Sequence, residues 1–238
     1  MGADLMEACE KRDLDKLKQL LKSSHHLGSI NDLYSWPGMD WMKATALSYA
    51  CNHNTHDFIE LLLGNGARDD IKDSTGFYAI HWACLKDTDT LAKVKLLVER
   101  NVDNIARRNK EQKTPLMLVK DHDTLEYLLQ NGARVNDVDN TGQTALYWAS
   151  YWHRPANISM LLKYGADVNL SNNNGDTPLH IGAKEAYVEI IKVLVSSPAC
   201  DIYKKNKKGQ TALDMARSKP WSTKDYTQVI EYLKRITS

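Results

Sequence analysis

The sequence predicts an all-α solenoid, in which stacked helix-turn-helix pairs share one continuous core. Two observations lead to this fold class. The segment GQTALYWA, with its Thr144, returns as GDTPLHIGA with Thr177, 33 residues further along the chain. The second helix predicted for the later unit, Val188 to Val195, is charged at Glu189 and Lys192 alone, so it must be buried on more than one side. Stacked neighbouring units supply that cover, whereas one unit cannot.

The start of each unit carries local signals for a turn followed by a helix. Gly175 can adopt the positive φ that turns the chain, and Thr177 is placed to cap the helix that follows. Pro178 then occupies the first helical position, where the missing N–H removes no hydrogen bond. Gly165 follows the helical segment MLLKY as a C-terminal cap.

A unit of about 33 residues that carries T-P-L-H-x-A resembles the ankyrin repeat. The resemblance implies helix-turn-helix pairs joined by β-hairpin fingers, and it covers about residues 5 to 238. The whole chain, 1–238, is predicted to be a single ankyrin-repeat domain, with an N-terminal cap at 5–24 and a C-terminal capping repeat at 206–238. The opening Thr or its equivalent falls at 45, 78, 114, 144, 177 and 211.

The N-terminal cap is predicted from the apolar stripe of Leu14, Leu17, Leu20 and Leu21, and Asp4 is expected to cap its first helix. An atypical first repeat with a polar outer face is what the end of a stack requires.

The stretch 25–43 is an irregular insertion with a Pro-Gly turn signal at 37–38. The register with the family places Trp41 and Met42 at the tip of a finger, which makes the insertion a candidate contact site. The alternative is that Trp36 and Trp41 fold back over the cap helices.

The spacings between the opening positions are 33, 36, 30, 33 and 34 residues. The values 36 and 30 flank a degenerate repeat in which Gln112 replaces the turn glycine. They predict a longer connection before this repeat and a shortened helical pair within it. The segment from Asn109 to Leu129 is therefore expected to be the weak point of the stack.

The composition gives no sign of export or of a membrane span. The chain has 238 residues and a formal net charge of +1, and its acidic start does not resemble a signal peptide. The four cysteines include no CxxC pair, and Cys51 and Cys84 occupy equivalent positions in adjacent repeats. They are expected to be small, reduced core residues, which favours a cytoplasmic location, with the nucleus or a host-cell cytosol as alternatives.

No catalytic residue, metal site or cofactor is predicted, so the chain is expected not to be an enzyme. The sequence lacks GxxxxGK[ST], HExxH and GxSxG. His53 and His56 lie around a turn without further metal-ligand partners, and His25 and His26 are interpreted in the same way. In the family resemblance, His81 and His180 are structural, because their imidazoles bond to neighbouring loops.

The resemblance implies a protein-binding module, an adaptor, scaffold or inhibitor whose partner lies on a concave face made by fingertips and first helices. Transferred by register, the predicted partner-binding residues are Trp41, Met42, Asn52, Ser74, Phe77, Leu85, Lys110, Lys113, Thr141, Gln143, Tyr151, Trp152, Asn173, Asp176 and Lys184. For Tyr151 and Trp152 the alternative is that they only fill space beside the irregular turn that follows them.

A basic run near the C-terminus is the strongest charge feature. Residues 201–238 hold nine Lys/Arg and four Asp/Glu, a net charge of +5, whereas the other 200 residues hold 22 and 26, a net charge of −4. Two interpretations stay open, a solvated end finger or a surface for nucleic acid, an acidic protein or anionic lipid. The run consists of Lys204, Lys205, Lys207 and Lys208.

Overall fold

A computed structural model describes residues 2–22, 30–85, 89–218 and 225–237. Within this described part the chain forms 14 α-helices, one short 3-10 helix and a two-stranded antiparallel sheet. The predicted all-α class with consecutive helical pairs is confirmed. Contacts divide the chain into two compact units, unit 1 (Met1–Ala133) and unit 2 (Arg134–Ser238). The single-domain assignment of residues 1–238 stays a prediction.

Unit 1 contains four helical pairs and the sheet. The four first helices pack in one row, and the second helices of the last three pairs pack in another. Its elements are α1 Gly2–Glu10, α2 Leu14–Lys22, β1 Tyr34–Trp36, β2 Met39–Ala44, α3 Ala46–His53, α4 His56–Gly64, α5 Ala79–Leu85, α6 Thr90–Arg100, the 3-10 helix Val102–Ala106, α7 Pro115–Leu118 and α8 His122–Gln130.

Unit 2 contains three helical pairs in the same arrangement. First helices pack on first helices and second helices on second helices, and each first helix also packs against its own second helix. Its elements are α9 Ala145–Tyr151, α10 Pro155–Lys163, α11 Pro178–Lys184, α12 Val188–Val195, α13 Ala212–Arg217 and α14 Thr227–Thr237.

Threonines cap the first helices of unit 2, including Thr177 as predicted. The hydroxyl of Thr144 accepts a hydrogen bond from the backbone N–H of Tyr147. Thr177 forms a reciprocal capping box with His180, and Pro178 follows at the first helical position. The expected cap at Asp4 was wrong: α1 already begins at Gly2, so Asp4 lies within its first turn.

The insertion forms the β1–β2 hairpin, which turns at Pro37 and Gly38. Trp41 and Met42 lie within β2, not at the tip of a finger as predicted. Side chains alternate between the two faces of a strand, so Trp41 points outward with 73% of its surface exposed and Met42 points into the core at 2%. Met42 is therefore a core residue, and its assignment to the partner-binding surface was wrong.

The cysteines lie in or near the core, and all four are free thiols. Cys9, Cys51 and Cys84 are buried, and Cys200 is partly buried. Burial raises the pKa of Cys9 and of Cys51 to about 12, so these thiols are poor nucleophiles. The prediction of small, reduced core residues at Cys51 and Cys84 is confirmed.

The degenerate repeat is shortened as predicted. Its first helix, α7, has four residues, and the 3-10 helix Val102–Ala106 occupies the longer connection before it. The described residues contain four buried side-chain polar atoms without a hydrogen-bond partner in the protein. Three of them lie in this connection and the turn after it, namely Asn104 Oδ1, Arg107 Nε and Asn109 Nδ2. None of the described helices combines the length and apolarity that a membrane crossing requires.

Candidate protein-interaction surface

Each finger is held at its base by an Asp or Asn five residues before the opening of the first helix. Asp139 illustrates the geometry, because its Oδ1 accepts from the backbone N–H groups of Thr141 at 2.8 Å and Gln143 at 3.0 Å. Sequence reasoning missed this set, although its spacing from the opening positions is regular. Its members are Asp73, Asn109, Asp139, Asn172 and Asn206.

Neighbouring fingers are joined by backbone hydrogen bonds. In unit 2 the backbone N–H of Asn173 donates to Thr141 O at 2.8 Å, and that of Lys207 donates to Asn174 O at 3.0 Å. In unit 1 Ser74 N donates to Lys43 O at 2.8 Å. The side chains of Ser74, Thr141 and Asn173 are exposed. These predicted contact residues therefore reach solvent from a backbone that is held by hydrogen bonds to the neighbouring finger.

Unit 2 carries an aromatic cluster at the C-terminal end of α9. The rings of Trp148 and Trp152 lie 5.3 Å apart, and Tyr151 approaches Trp148 edge-on at 5.9 Å. Trp148 also donates its indole N–H to Asp139 Oδ2 at 3.2 Å. Trp152 is half-buried against Trp148, whereas Tyr151 leaves 46% of its surface exposed.

In unit 1 the corresponding aromatic surface is covered by the hairpin. Trp36 is 4% exposed, and its ring lies 4.9 Å from both Tyr49 and Trp82 and 5.4 Å from His53. Trp36 folds inward, but its ring packs on α3 and α5, whereas the alternative placed it over the cap helices. Trp41 stays on the surface, where its role as a contact residue stays a prediction.

The other predicted residues of unit 1 differ in how far they reach solvent. Asn52 is half-buried and hydrogen-bonded to the His53 ring at 3.2 Å. Phe77 and Leu85 are also half-buried, and Phe77 packs against Trp82 at 4.9 Å. Lys110 is exposed, and Lys113 forms an ion pair with Glu111 at 2.7 Å.

Two of the remaining predicted residues of unit 2 lie at a groove of about 340 Å³. Asp176 and Lys184 line it, together with Asn174, Asn206, Lys208, Gln210, Met215 and Ser218. Lys184 is exposed and Asp176 is half-buried, and Asp176 Oδ1 accepts a hydrogen bond from Asn206 Nδ2 at 2.8 Å. Gln143 is half-buried at the preceding finger.

The basic run is not uniformly solvated. The ammonium group of Lys204 donates to Asn169 O at 2.8 Å, so this lysine is used within the fold. Lys205, Lys207 and Lys208 are exposed.

The histidines act as structural groups where the structure describes them. His81 Nε2 lies 3.1 Å from Lys113 O, and His180 Nε2 lies 3.0 Å from Gln210 O, so each ring bonds to the next repeat as the resemblance implied. Burial lowers the pKa of His81 to about 4, which keeps it neutral. The described residues contain no cluster of three potential metal ligands, and His25 and His26 lie outside them.

The repeat pattern and geometry agree with the comparison to known families. Three copies of the family model for ankyrin repeats match residues 5–107, 87–172 and 158–235. The chain belongs to the ankyrin-repeat family. The recognition made from the sequence is thereby confirmed. Ankyrin repeats are protein–protein interaction modules and typically carry no catalytic activity.

Curated ankyrin-repeat relatives match part of the chain. It is similar to the ankyrin repeat protein FPV031 of fowlpox virus, with 37% identity over 52% of this chain and 39% of the relative. It is also similar to human neurogenic locus notch homolog protein 1, with 32% identity over 58% of this chain and 5% of the relative. The chain thus spans less than half the length of these relatives.

A solved structure supports the fold over nearly the whole chain. The ankyrin repeat domain of Bcl-3, described as a unique member of the IkappaB protein family, matches with a TM-score of 0.73. The alignment covers 97% of both chains at 24% sequence identity. At this identity the likeness establishes the ankyrin fold, whereas function has to be argued from the surface of this chain.

Proposed function

We propose that the chain is a non-enzymatic adaptor, scaffold or inhibitor that binds a protein partner through unit 2. The proposed surface, called the unit 2 strip, follows the fingertips and the ends of the first helices. It consists of Thr141, Gln143, Tyr151, Trp152, Asn173, Asp176 and Lys184. The observation that carries the proposal is the aromatic cluster of Tyr151, Trp152 and Trp148, in which Tyr151 is 46% exposed.

An aromatic side chain in this setting can bind with little loss of entropy. Trp148 is held by Asp139, and both Trp152 and Tyr151 rest on Trp148, so the cluster is largely ordered before a partner arrives. Binding therefore does not have to immobilise several free rotamers, which would otherwise reduce the affinity. Tyr and Trp are also the residue types that most often dominate the energy of an interface.

Unit 1 offers a smaller aromatic surface. Trp36 packs against Tyr49 and Trp82, so Tyr49 is buried and Trp82 is only partly exposed to a partner. Trp41, at 73% exposed, is the large apolar group that the hairpin leaves on the surface. We therefore place the main contact in unit 2 and treat the exposed residues Trp41 and Lys110 as secondary contacts.

The chemistry of the thiols supports a reducing compartment. All four cysteines are free thiols, and three of them are buried. We propose that the protein works in the cytosol, its own or that of a host cell, or in the nucleus. Binding of nucleic acid or anionic lipid at Lys204, Lys205, Lys207 and Lys208 stays an alternative, tested by its salt dependence.

Capture with the intact chain, followed by substitution at the aromatic cluster, tests the proposal. The double variant Y151S/W152S should weaken the captured complex by about 2 kcal/mol or more, on the order of 30-fold in Kd. Its melting temperature should change little, because Trp148 and the core beneath it are intact. A variant that melts earlier and keeps its partner would show that Tyr151 and Trp152 only fill space beside the following turn.

Tyr203 provides a matched control for the loss of an exposed aromatic ring. It is 60% exposed in unit 2, and its hydroxyl bonds to Thr237 O at the end of α14, on the second-helix side. The variant Y203S should bind the partner like the unchanged protein. Equal loss of binding in Y203S and Y151S/W152S would contradict the assignment to the unit 2 strip.

A further inference from the structure

The groove at the end of the unit 2 strip carries more positive than negative charge. Lys184 and Lys208 line it, and Lys205 and Lys207 lie on the same finger as Lys208. The ammonium groups of these four lysines make no hydrogen bond or ion pair with any residue that the structure describes. Met215, 8% exposed, contributes an apolar surface to the lining.

Three aspartates of these two repeats are hydrogen-bonded within the fold. Asp176 accepts from Asn206, and Asp201 accepts from the backbone N–H of Tyr203 at 3.0 Å. Asp214 accepts from Thr211 N and Oγ1, and these bonds, with Arg217 and Lys205 nearby, hold the pKa of Asp214 below its usual range. These hydrogen bonds hold the carboxylates in place but leave them ionised. Lys184 and Lys208 against Asp176 give the lining of the groove a net charge of +1, and Lys205 and Lys207 add positive charge on the same finger as Lys208.

Tyr151, Lys184 and Ser218 are equivalent positions, each seven residues after the opening threonine of its repeat. They follow one another at the ends of α9, α11 and α13, which pack in that order. The strip therefore changes from aromatic at Tyr151 and Trp152 to basic at Lys184, and Lys208 continues the basic end in the groove. Packed neighbouring helices lie about 8–10 Å apart, which an extended peptide spans in about three residues.

We propose that the unit 2 strip and the adjoining groove bind an extended acidic segment of the partner protein. An apolar residue of the segment rests on Tyr151 and Trp152. Acidic residues about three and six positions away reach Lys184 and Lys208. This inference rests on the proposed function, which it deepens by naming the chemical class of the partner. Charge complementarity of this kind gives specificity and a fast, salt-sensitive association.

Selection from a library of random peptides tests the inference with the intact chain. Peptides of about twelve residues, long enough to span the strip, are displayed and selected at low ionic strength, about 50 mM. The enriched sequences should contain an apolar residue with acidic residues about three and six positions to one side. An apolar consensus without acidic residues would overturn the inference and leave the proposed function standing. An absence of enrichment would contradict both.

A synthetic consensus peptide, measured by fluorescence anisotropy, then assigns the charge to the groove. The variant K184E/K208E should weaken its binding about tenfold or more, and raising the salt should weaken binding to the unchanged protein. The control K163E/K234E makes the same change in net charge at exposed positions on the second helices α10 and α14. Equal loss in both variants would show a general charge effect and overturn the inference.

Two further outcomes separate this inference from its alternatives. Binding that is lost in Y151S/W152S but unchanged in K184E/K208E would retain the strip and exclude the acidic segment. A single-stranded oligonucleotide that competes with the peptide at equal charge would show a general polyanion surface instead.

Discussion

Trp82 donates its indole N–H to Asp73 Oδ2 at 2.7 Å, across nine residues of sequence. The same aspartate uses Oδ1 to accept from the finger, including the backbone N–H of Phe77 at 2.9 Å. One carboxylate thus joins the base of a finger to the aromatic side chain of the helix that follows. Unit 2 repeats the arrangement with Asp139 and Trp148.

Whether the finger-base residue is Asp or Asn correlates with the residue nine positions later in the chain. Asp stands at the base where that residue is Trp, in the two repeats just described. Asn stands there in the pairs Asn109–Leu118, Asn172–Ile181 and Asn206–Met215. An aspartate supplies a second acceptor oxygen for an indole N–H, whereas an asparagine presents an N–H group on that side.

A double-mutant cycle tests this pairing. Asp73→Asn should destabilise the protein by about 1–3 kcal/mol, because the indole N–H of Trp82 loses its acceptor and faces another donor. In the Trp82→Phe background the same change should cost less than about 1 kcal/mol, since no indole N–H is left unpaired. Urea unfolding of the four proteins gives the coupling energy. Equal costs in the two backgrounds would show that the pair is not coupled.

A pair of glycine substitutions tests the packing of neighbouring fingers. A Cβ on Gly175 would lie 2.7 Å from Lys207 N, and its φ is +80°. Gly209 has a similar φ, +74°, but open space around it. Gly209→Ala should cost only the left-handed backbone strain, about 1–2 kcal/mol, whereas Gly175→Ala should cost more because backbone must also move. Similar melting temperatures for the two variants would argue against tight finger packing.

Much of the fold could be predicted because each repeat contains its own sequence signals for a turn and a helix start. The recurrence of an opening threonine about every 33 residues was sufficient to locate the first helices, and Thr177 caps the helix that follows it as expected. The spacings of 36 and 30 also identified the shortened helix α7, because missing residues in a repeat must come from its own helices and connections.

The insertion was predicted less well because it lies outside the repeat register. A fingertip assignment for Met42 assumed the family hairpin, but β2 begins at Met39, and strand alternation then places Met42 inside and Trp41 outside. The contact of Trp36 with Trp82 joins residues 46 positions apart in the chain, and nothing local encodes it. The groove beside Lys184 likewise depends on two successive repeats being packed together.

The degenerate repeat from Asn109 to Leu129 should open before the repeats at Thr144 and Thr177. Its first helix has four residues, and Asn109 at the start of the repeat leaves a buried polar atom unpaired within the protein, as do Asn104 and Arg107 in the connection just before it. A buried polar group without a partner costs about 1–3 kcal/mol, so local opening of this segment recovers that energy through water. Native-state hydrogen exchange should therefore show the fastest opening here. Uniform protection across the three repeats would refute the prediction.

Because of His81, the free energy of unfolding should decrease as the pH is lowered from 6.5 to 4. Its Nδ1 accepts from Tyr78 N at 3.2 Å, and Nε2–H donates to Lys113 O, so the neutral ring satisfies both bonds.

Burial lowers the pKa of His81 to about 4 in spite of the carbonyl groups and the Asp73 carboxylate, which favour the charged form. In the unfolded chain the ring takes up its proton near pH 6.5, so between pH 6.5 and 4 the unfolded state binds more protons than the folded state. The stability that the neutral His81 ring contributes is thus fully present above pH 6.5. As the pH falls below 6.5, the free energy of unfolding decreases by about 1.4 kcal/mol per pH unit. In His81→Gln, whose amide keeps one donor and one acceptor, the unfolding free energy should fall less steeply over this range. Parallel pH profiles for the two proteins, or an NMR titration of the His81 ring near pH 6.5, would contradict the prediction.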